Sequence, residues 1–121
     1  MNKKKTLVLG ASTNPDRYSF MAINNLRMKG YDVVAVGRHA GRVDDVDIKL
    51  EAEPIEDLDT ITLYLNPDNQ KPYYDYILEQ KPNRIIFNPG AENHELEQKA
   101  KDNGIETLNA CTLVMLSTGQ Y

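Results

Sequence analysis

The stretch Thr6-Leu-Val-Leu-Gly-Ala-Ser-Thr-Asn-Pro-Asp-Arg-Tyr-Ser19 decides the fold. Four residues of β-strand character run into a small-residue turn, and the turn leads into a helical pattern. Alpha/beta folds build anion sites this way, because the turn lets backbone N–H groups approach a phosphate and the helix N-terminus adds partial positive charge. The dinucleotide fingerprint G-x-G-x-x-G is not met, since after Gly10 its second and third glycines fall at Ser12 and Pro15. The turn has the form of a nucleotide site of a different kind.

Outward from this stretch, short β-rich runs alternate with longer amphipathic ones. Residues 6–9 form the first strand. A helix over 19–29 carries Phe20, Ile23 and Leu26 on one face and stops at Gly30. Residues 31–36 are a strand whose nearly continuous apolar character suits burial on both faces. Residues 37–46 read as a loop, 48–52 as a short edge strand, and Pro54 with residues 55–58 as one helical turn. Strand 60–65 is followed by Asn66-Pro67, the chemistry of a helix start, and that helix runs to Gln80 before Pro82. A strand over 84–88, a helix over 93–103 closed by Gly104, a strand over 105–108 and a helical segment over 111–116 complete the chain. The expected fold is α/β: one Rossmann-like, doubly wound, mainly parallel sheet of about five strands with helices on both faces.

The chain has 121 residues, enough for one domain with a core and no staples. A net charge of −4 gives nothing that favours nucleic acid or membranes, and the Lys3-Lys4-Lys5 run reads as the solvated start of a strand. The single cysteine, Cys111, permits no internal disulfide, and no apolar run reaches the length of a membrane span. These features point to the cytoplasm.

Ligands of open parallel sheets sit beyond the carboxyl ends of the strands, where strand order reverses. That rule selects residues 10–19, 37–42, 66–71 and 88–93. The second segment holds Arg38, His39 and Arg42, the basic cluster at a strand end. NAD domains usually place an acid there to accept from ribose hydroxyls, whereas this chain has none before Asp44. A cation suits a ribose phosphate instead, which leaves NADP and coenzyme A open. Ser19 is a candidate helix cap, Ser12 a turn former, and Arg17 a candidate to neutralise a diphosphate. Asn66-Pro67 and Asn88-Pro89 each offer a side-chain amide at a strand exit.

Taken together, Gly10-Ala-Ser-x-Asn-Pro-x-Arg-x-Ser19, Gly30-Tyr-Asp-Val-Val-Ala-Val36, Asn88-Pro-Gly-Ala-Glu-Asn93 and the late Cys111 resemble the small stand-alone CoA-binding domain proteins, which are similar to the N-terminal domain of the succinyl-CoA synthetase α subunit. The resemblance implies a site for coenzyme A at the strand ends. Gly10, Ala11, Ser12, Arg17 and Ser19 would hold the diphosphate, with Asn14 and Tyr18 in the same loop. Val36, Gly37, Arg38 and Arg42 would meet the adenosine end and its 3′-phosphate. Leu65, Asn66, Pro67, Asn88 and Pro89 would line the rest.

The sequence lacks a Ser–His–Asp set, metal-ligand spacing and a Walker loop, and the phosphorylatable-His domain of the synthetase is not present in it. His39 and His94 read as surface residues, and Cys111 among apolar neighbours as a buried small side chain. Binding of CoA or an acyl-CoA without catalysis is the leading expectation. An NADP-binding oxidoreductase or sensor, and a subunit using the groove for a partner's peptide, are the alternatives. Apolar positions in the last segment leave room for a homodimer.

Overall fold

The computed structural model describes residues 4–121, so Lys3 lies outside the described residues. The strands are β1 (Thr6–Ala11), β2 (Val33–Gly37), β3 (Gly41–Val43), β4 (Val46–Lys49), β5 (Thr60–Leu63), β6 (Arg84–Phe87) and β7 (Glu106–Asn109). The helices are α1 (Tyr18–Met28), α2 (Pro67–Gln70), α3 (Tyr74–Gln80), α4 (His94–Asp102) and α5 (Thr112–Ser117). One seven-stranded sheet runs in the order β3-β4-β2-β1-β5-β6-β7, parallel throughout except for the β3–β4 pair. The chain leaves β1 toward β2 and later returns past it to β5, which places the reversal of strand order between β1 and β5.

The period-2 pattern of the strands assigns the two faces. Leu7, Leu9, Ile61, Leu63, Ile85 and Phe87 pack with Ile77 of α3 and Leu96 and Ala100 of α4. Val8, Ala35, Ile48 and Ile86 point the other way, onto Ile23 and Leu26 of α1 and Met115 and Leu116 of α5. Fully burying a large aliphatic or aromatic side chain contributes about 1.5–3 kcal/mol, and both faces of the central strands are occupied by such residues.

Three local expectations differ from the structure. The segment read as a loop and edge strand is an antiparallel hairpin, β3–β4, turning at Asp44, which adopts φ 53°. The helical turn placed at 55–58 is not formed; the chain there is extended up to a turn in which Asp57 has φ 58°. The helix expected from 66 to 80 is interrupted by a 3-10 turn over Lys71–Tyr73, because Pro72 lacks the N–H for an intrahelical bond and its ring crowds the preceding turn. Its end is an αL residue, Lys81 (φ 47°), just before Pro82.

At the end of the sheet away from the strand exits, Arg84 is buried. Its Nε donates to Thr60 Oγ1 at 2.8 Å, and its guanidinium lies 4.4 Å from the centroid of the Tyr121 ring. Tyr121 and Thr6 share a short hydroxyl–hydroxyl hydrogen bond, and Lys4 Nζ donates to the Tyr121 carbonyl. Lys5 Nζ donates to the Glu56 carbonyl. The lysines at the start of β1 therefore pin distant backbone as well as meeting solvent.

Asp59 closes this cluster. Burial pushes its carboxyl up, but hydrogen bonds from Thr60 Oγ1 (2.6 Å) and Asn83 Nδ2 (2.7 Å), with Arg84 at 4.0 Å, hold it below the ordinary value of 3.8. A carboxylate with a depressed folded-state pKa contributes stability above its unfolded value and loses it as pH falls through the folded value. Asp59→Asn is therefore expected to lower the urea midpoint at pH 7 and to flatten the decline of stability below about pH 4. An unchanged acid limb in urea titrations at pH 7 and pH 3 would show that Asp59 is not linked to folding.

Candidate functional site

A groove of about 560 Å³ opens at the carboxyl ends of the strands, across the β1–β5 reversal. Its size is that of an ordinary small-molecule site. One wall is the loop after β1 and the start of α1: Gly10, Ala11, Ser12, Thr13, Arg17, Tyr18 and Ser19. Arg38 and His39 come from the exit of β2. Tyr64, Leu65, Asn66 and Asn69 come from the exit of β5, and Pro89 and Gly90 from that of β6.

The first wall follows from local sequence. Gly10 holds φ 99°, and a Cβ there would press against the Tyr64 backbone and the Leu65 side chain. The loop then braces itself: Asn14 N–H donates to Ser12 Oγ and Asp16 N–H to Asn14 Oδ1, both at 3.0 Å. α1 starts at Tyr18 with Arg17 as N-cap and without a side-chain cap. Ser19, expected to cap this helix, instead lies buried within its first turn and on the groove wall. The first residues of α1 thus lie on the groove wall, and no side chain caps the N-terminus of the helix.

Two buried side chains fix the other walls. Asn88 Nδ2 donates to Thr62 Oγ1 (2.7 Å) and to the Leu63 carbonyl (2.9 Å), and its Oδ1 accepts from Thr112 N–H at 2.9 Å. Gln70 Nε2 donates to the Leu65 and Ala91 carbonyls, each at 2.8 Å, while its Oε1 accepts from Asn93 Nδ2. Asn88 ties the exits of β5 and β6 to α5, and Gln70 ties the loops beyond them to each other.

These bonds correct the reading of the strand exits. The Asn88 amide is spent inside the protein, so Asn88 shapes the groove from behind. Asn66 caps α2, its Oδ1 accepting from Asn69 N–H at 2.9 Å. Of the other expected residues, Val36 is buried in the core. Gly37 is buried where β1 and β2 approach so closely that a Cβ would overlap the Ala11 carbonyl oxygen. Arg42 is on β3 and pairs with Asp47 at 3.0 Å, away from the groove. Asn14 and Pro67 support the two loops without lining the groove. Gly10, Ala11, Ser12, Arg17, Tyr18, Ser19, Arg38, Leu65, Asn66 and Pro89 are brought together there.

Thr13, His39, Tyr64, Asn69 and Gly90 also line the groove and were not among the expected residues. Each adjoins one that was, or lies within one helical turn of it, so the segments were legible and the facing of single side chains was not. Tyr64 sits under the groove with its hydroxyl buried and without a hydrogen bond; burial pushes its pKa well up, so it stays protonated. Cys111 is half-buried at the N-cap of α5, more open than its apolar neighbours suggest, and is not a groove residue.

Two arginines and no acidic residue line the groove among the described residues. Arg17 and Arg38 are exposed, and neither takes part in an ion pair among the described residues. No cluster of His, Cys, Asp and Glu able to hold a metal occurs among the described residues, and no helix there is long and apolar enough to cross a membrane.

The family model of the CoA-binding domain matches residues 4–117. No curated protein matches the sequence. Among solved structures, the chain is similar to an uncharacterized protein known from its crystal structure, with a TM-score of 0.96 and 49% identity over 100% of both chains. It is also similar to a hypothetical protein from Pyrococcus horikoshii OT3, with a TM-score of 0.85 and 23% identity over 95% of this chain and 82% of that one. A third similarity is to the dinucleotide-forming acetyl-coenzyme A synthetase 1 of Ca. Korarchaeum cryptofilum, solved with phosphate and ADP, at a TM-score of 0.70 and 19% identity over 90% of this chain and 26% of that one. The last two show a shared fold. With nearly its whole length matched by the family model and its groove at the strand reversal, the chain belongs to the CoA-binding domain family.

Proposed function

We propose that this chain binds coenzyme A, free or acylated, in the groove at the strand ends and catalyses no reaction of its own. The observation that carries the reading is the charge of the groove. In a chain of net charge −4, its walls hold Arg17 and Arg38, unpaired, and no acid. Such a surface attracts anions, a polyanion most strongly.

Coenzyme A has its negative charge in two places, a diphosphate and a ribose 3′-phosphate. The amides at the start of α1, with Arg17, suit the diphosphate. Arg38 at the exit of β2 suits the ribose phosphate, where an NAD site would carry an acid. Leu65, Pro89 and Gly90 continue the groove with less polar walls for the pantetheine arm. Ser12 Oγ accepts from the Asn14 backbone amide, which holds this wall of the groove in place.

Thermal unfolding with coenzyme A, acetyl-CoA, NADP and NAD tests the reading. A ligand at 100 times its Kd stabilises the folded state by about 2.7 kcal/mol. Coenzyme A and acetyl-CoA are expected to raise the transition, and NAD to leave it in place. A rise with NADP and none with coenzyme A would reject the proposal.

A further inference from the structure

We propose that the β3–β4 hairpin is a strut that sets the width of the phosphate end of the groove, with Gly41 as its positioning residue. The inference rests on the coenzyme A reading of that groove. It concerns how the two phosphate-binding arms, Arg17 on the α1 side and Arg38 on the β2 side, are kept at one separation.

Three observations make the hairpin rigid. Its inward side chains, Val43, Val46 and Ile48, are buried in the core cluster that includes Ile23 and Leu26 of α1. Its turn is held by a two-pronged ion pair, Arg27 Nε to Asp45 Oδ1 at 2.8 Å and Arg27 Nη2 to Asp45 Oδ2 at 2.7 Å, which fixes the turn to the C-terminal end of α1. β4 is hydrogen-bonded to β2, in register from Ala35 with Ile48. The hairpin is thus attached to α1 and to the sheet at once.

Its remaining end, Gly41, meets the loop after β1. The Thr13 methyl Cγ2 occupies the place where a Cβ on residue 41 would stand, so a larger residue there must displace that methyl, turning the exposed Thr13 side chain or shifting its loop. Thr13 lies in the braced loop between Ser12 and Arg17, and Gly41 lies three residues after Arg38. This contact therefore joins the loop that holds Arg17 to the segment that follows Arg38. A ligand whose ribose carries a diphosphate at its 5′ position and a phosphate at its 3′ position needs the two arms at a fixed distance, whereas one lacking the 3′-phosphate needs only the α1 arm. Pre-setting that distance lowers the ordering cost of binding.

The test moves one methyl group. Gly41→Ala is expected to weaken coenzyme A about tenfold in calorimetric titration while changing dephospho-CoA less than about twofold. Thr13→Ser removes the methyl that the new Cβ overlaps, so the Gly41→Ala/Thr13→Ser pair should recover most of the coenzyme A affinity. Both positions are exposed, and the melting temperature should stay within a few degrees. Equal coenzyme A affinity in Gly41→Ala and wild type, equal losses for the two ligands, or failure of Thr13→Ser to rescue would each overturn the strut.

The amide resonances of residues 12–14, 16 and 17 report the same contact without ligand. They should shift in Gly41→Ala and return in the pair. If they do not move, the hairpin does not hold the loop. If they behave as expected while wild type ignores coenzyme A, the strut stands and the ligand reading falls.

Discussion

Arg38→Glu is expected to bind coenzyme A about 10- to 100-fold more weakly than wild type while binding dephospho-CoA with a much smaller loss. A hydrogen bond to a charged group contributes about 1.5–3 kcal/mol, and each 1.4 kcal/mol is about a factor of ten in affinity. Charge reversal adds repulsion to the lost bond. Arg38 is exposed and makes no ion pair among the described residues, so the substitution removes no internal contact that the fold depends on. Calorimetric titration of the two ligands separates a local role from a general one. Equal losses for both would remove the 3′-phosphate from Arg38 and leave it a contributor to the field of the whole groove. The losses should also shrink at high salt, because an exposed guanidinium is screened.

Asn88→Ala is expected to be the most damaging single change to stability at the groove. It deletes two donated bonds and one accepted bond inside the protein, and it leaves the Thr112 amide without its partner. Abandoning a buried polar group costs about 1–3 kcal/mol, and the lost bonds add to that, for a total of about 2–4 kcal/mol. For a domain of this size the melting temperature should fall by roughly 10 °C. Asn88→Asp should be no better, since a carboxylate cannot donate to Thr62 or to the Leu63 carbonyl. Asn66→Ala is the internal comparison: it removes only a helix cap and should cost about 1 kcal/mol. If the two alanine variants melted alike, Asn88 would not be the tie between β5, β6 and α5.

This pair of asparagines also shows where sequence stops short. Both stand before a proline at a strand exit, and the sequence treats them alike. Only tertiary position separates them, since Asn66 meets the first turn of its own short helix and Asn88 meets residues 24 to 26 positions away. Long-range partners leave no local pattern. The same holds for Gln70, a polar residue in a helical stretch whose buried amide joins two loops.

The central strands were legible because burial on both faces writes a continuous apolar run, as at residues 33–36 and 85–87. The β3–β4 hairpin was harder to see because its strands are three and four residues long and its turn is Asp44-Asp45 instead of an Asn-Gly pair. A signal was nonetheless available in the spacing of Val43, Val46 and Ile48 about those two acids. The break in the 66–80 helix was legible too, because an interior proline at 72 predicts it directly. Arg17, Arg38 and the turn after β1 line the groove, at strand exits that follow from strand assignment. Arg42 was grouped with them as part of the basic cluster and on the family resemblance, and the hairpin pairs it with Asp47.

That two arginines without an ion pair among the described residues make this groove a coenzyme A site is the central proposal. Calorimetric titration of coenzyme A into wild type and into Arg17→Glu/Arg38→Glu, each checked for an intact fold by its melting curve, tests that claim directly. The account predicts saturable binding of one coenzyme A per chain in wild type and a loss of about 100-fold or more in the double variant. Absence of binding to wild type, or equal affinity in the two proteins, would contradict it.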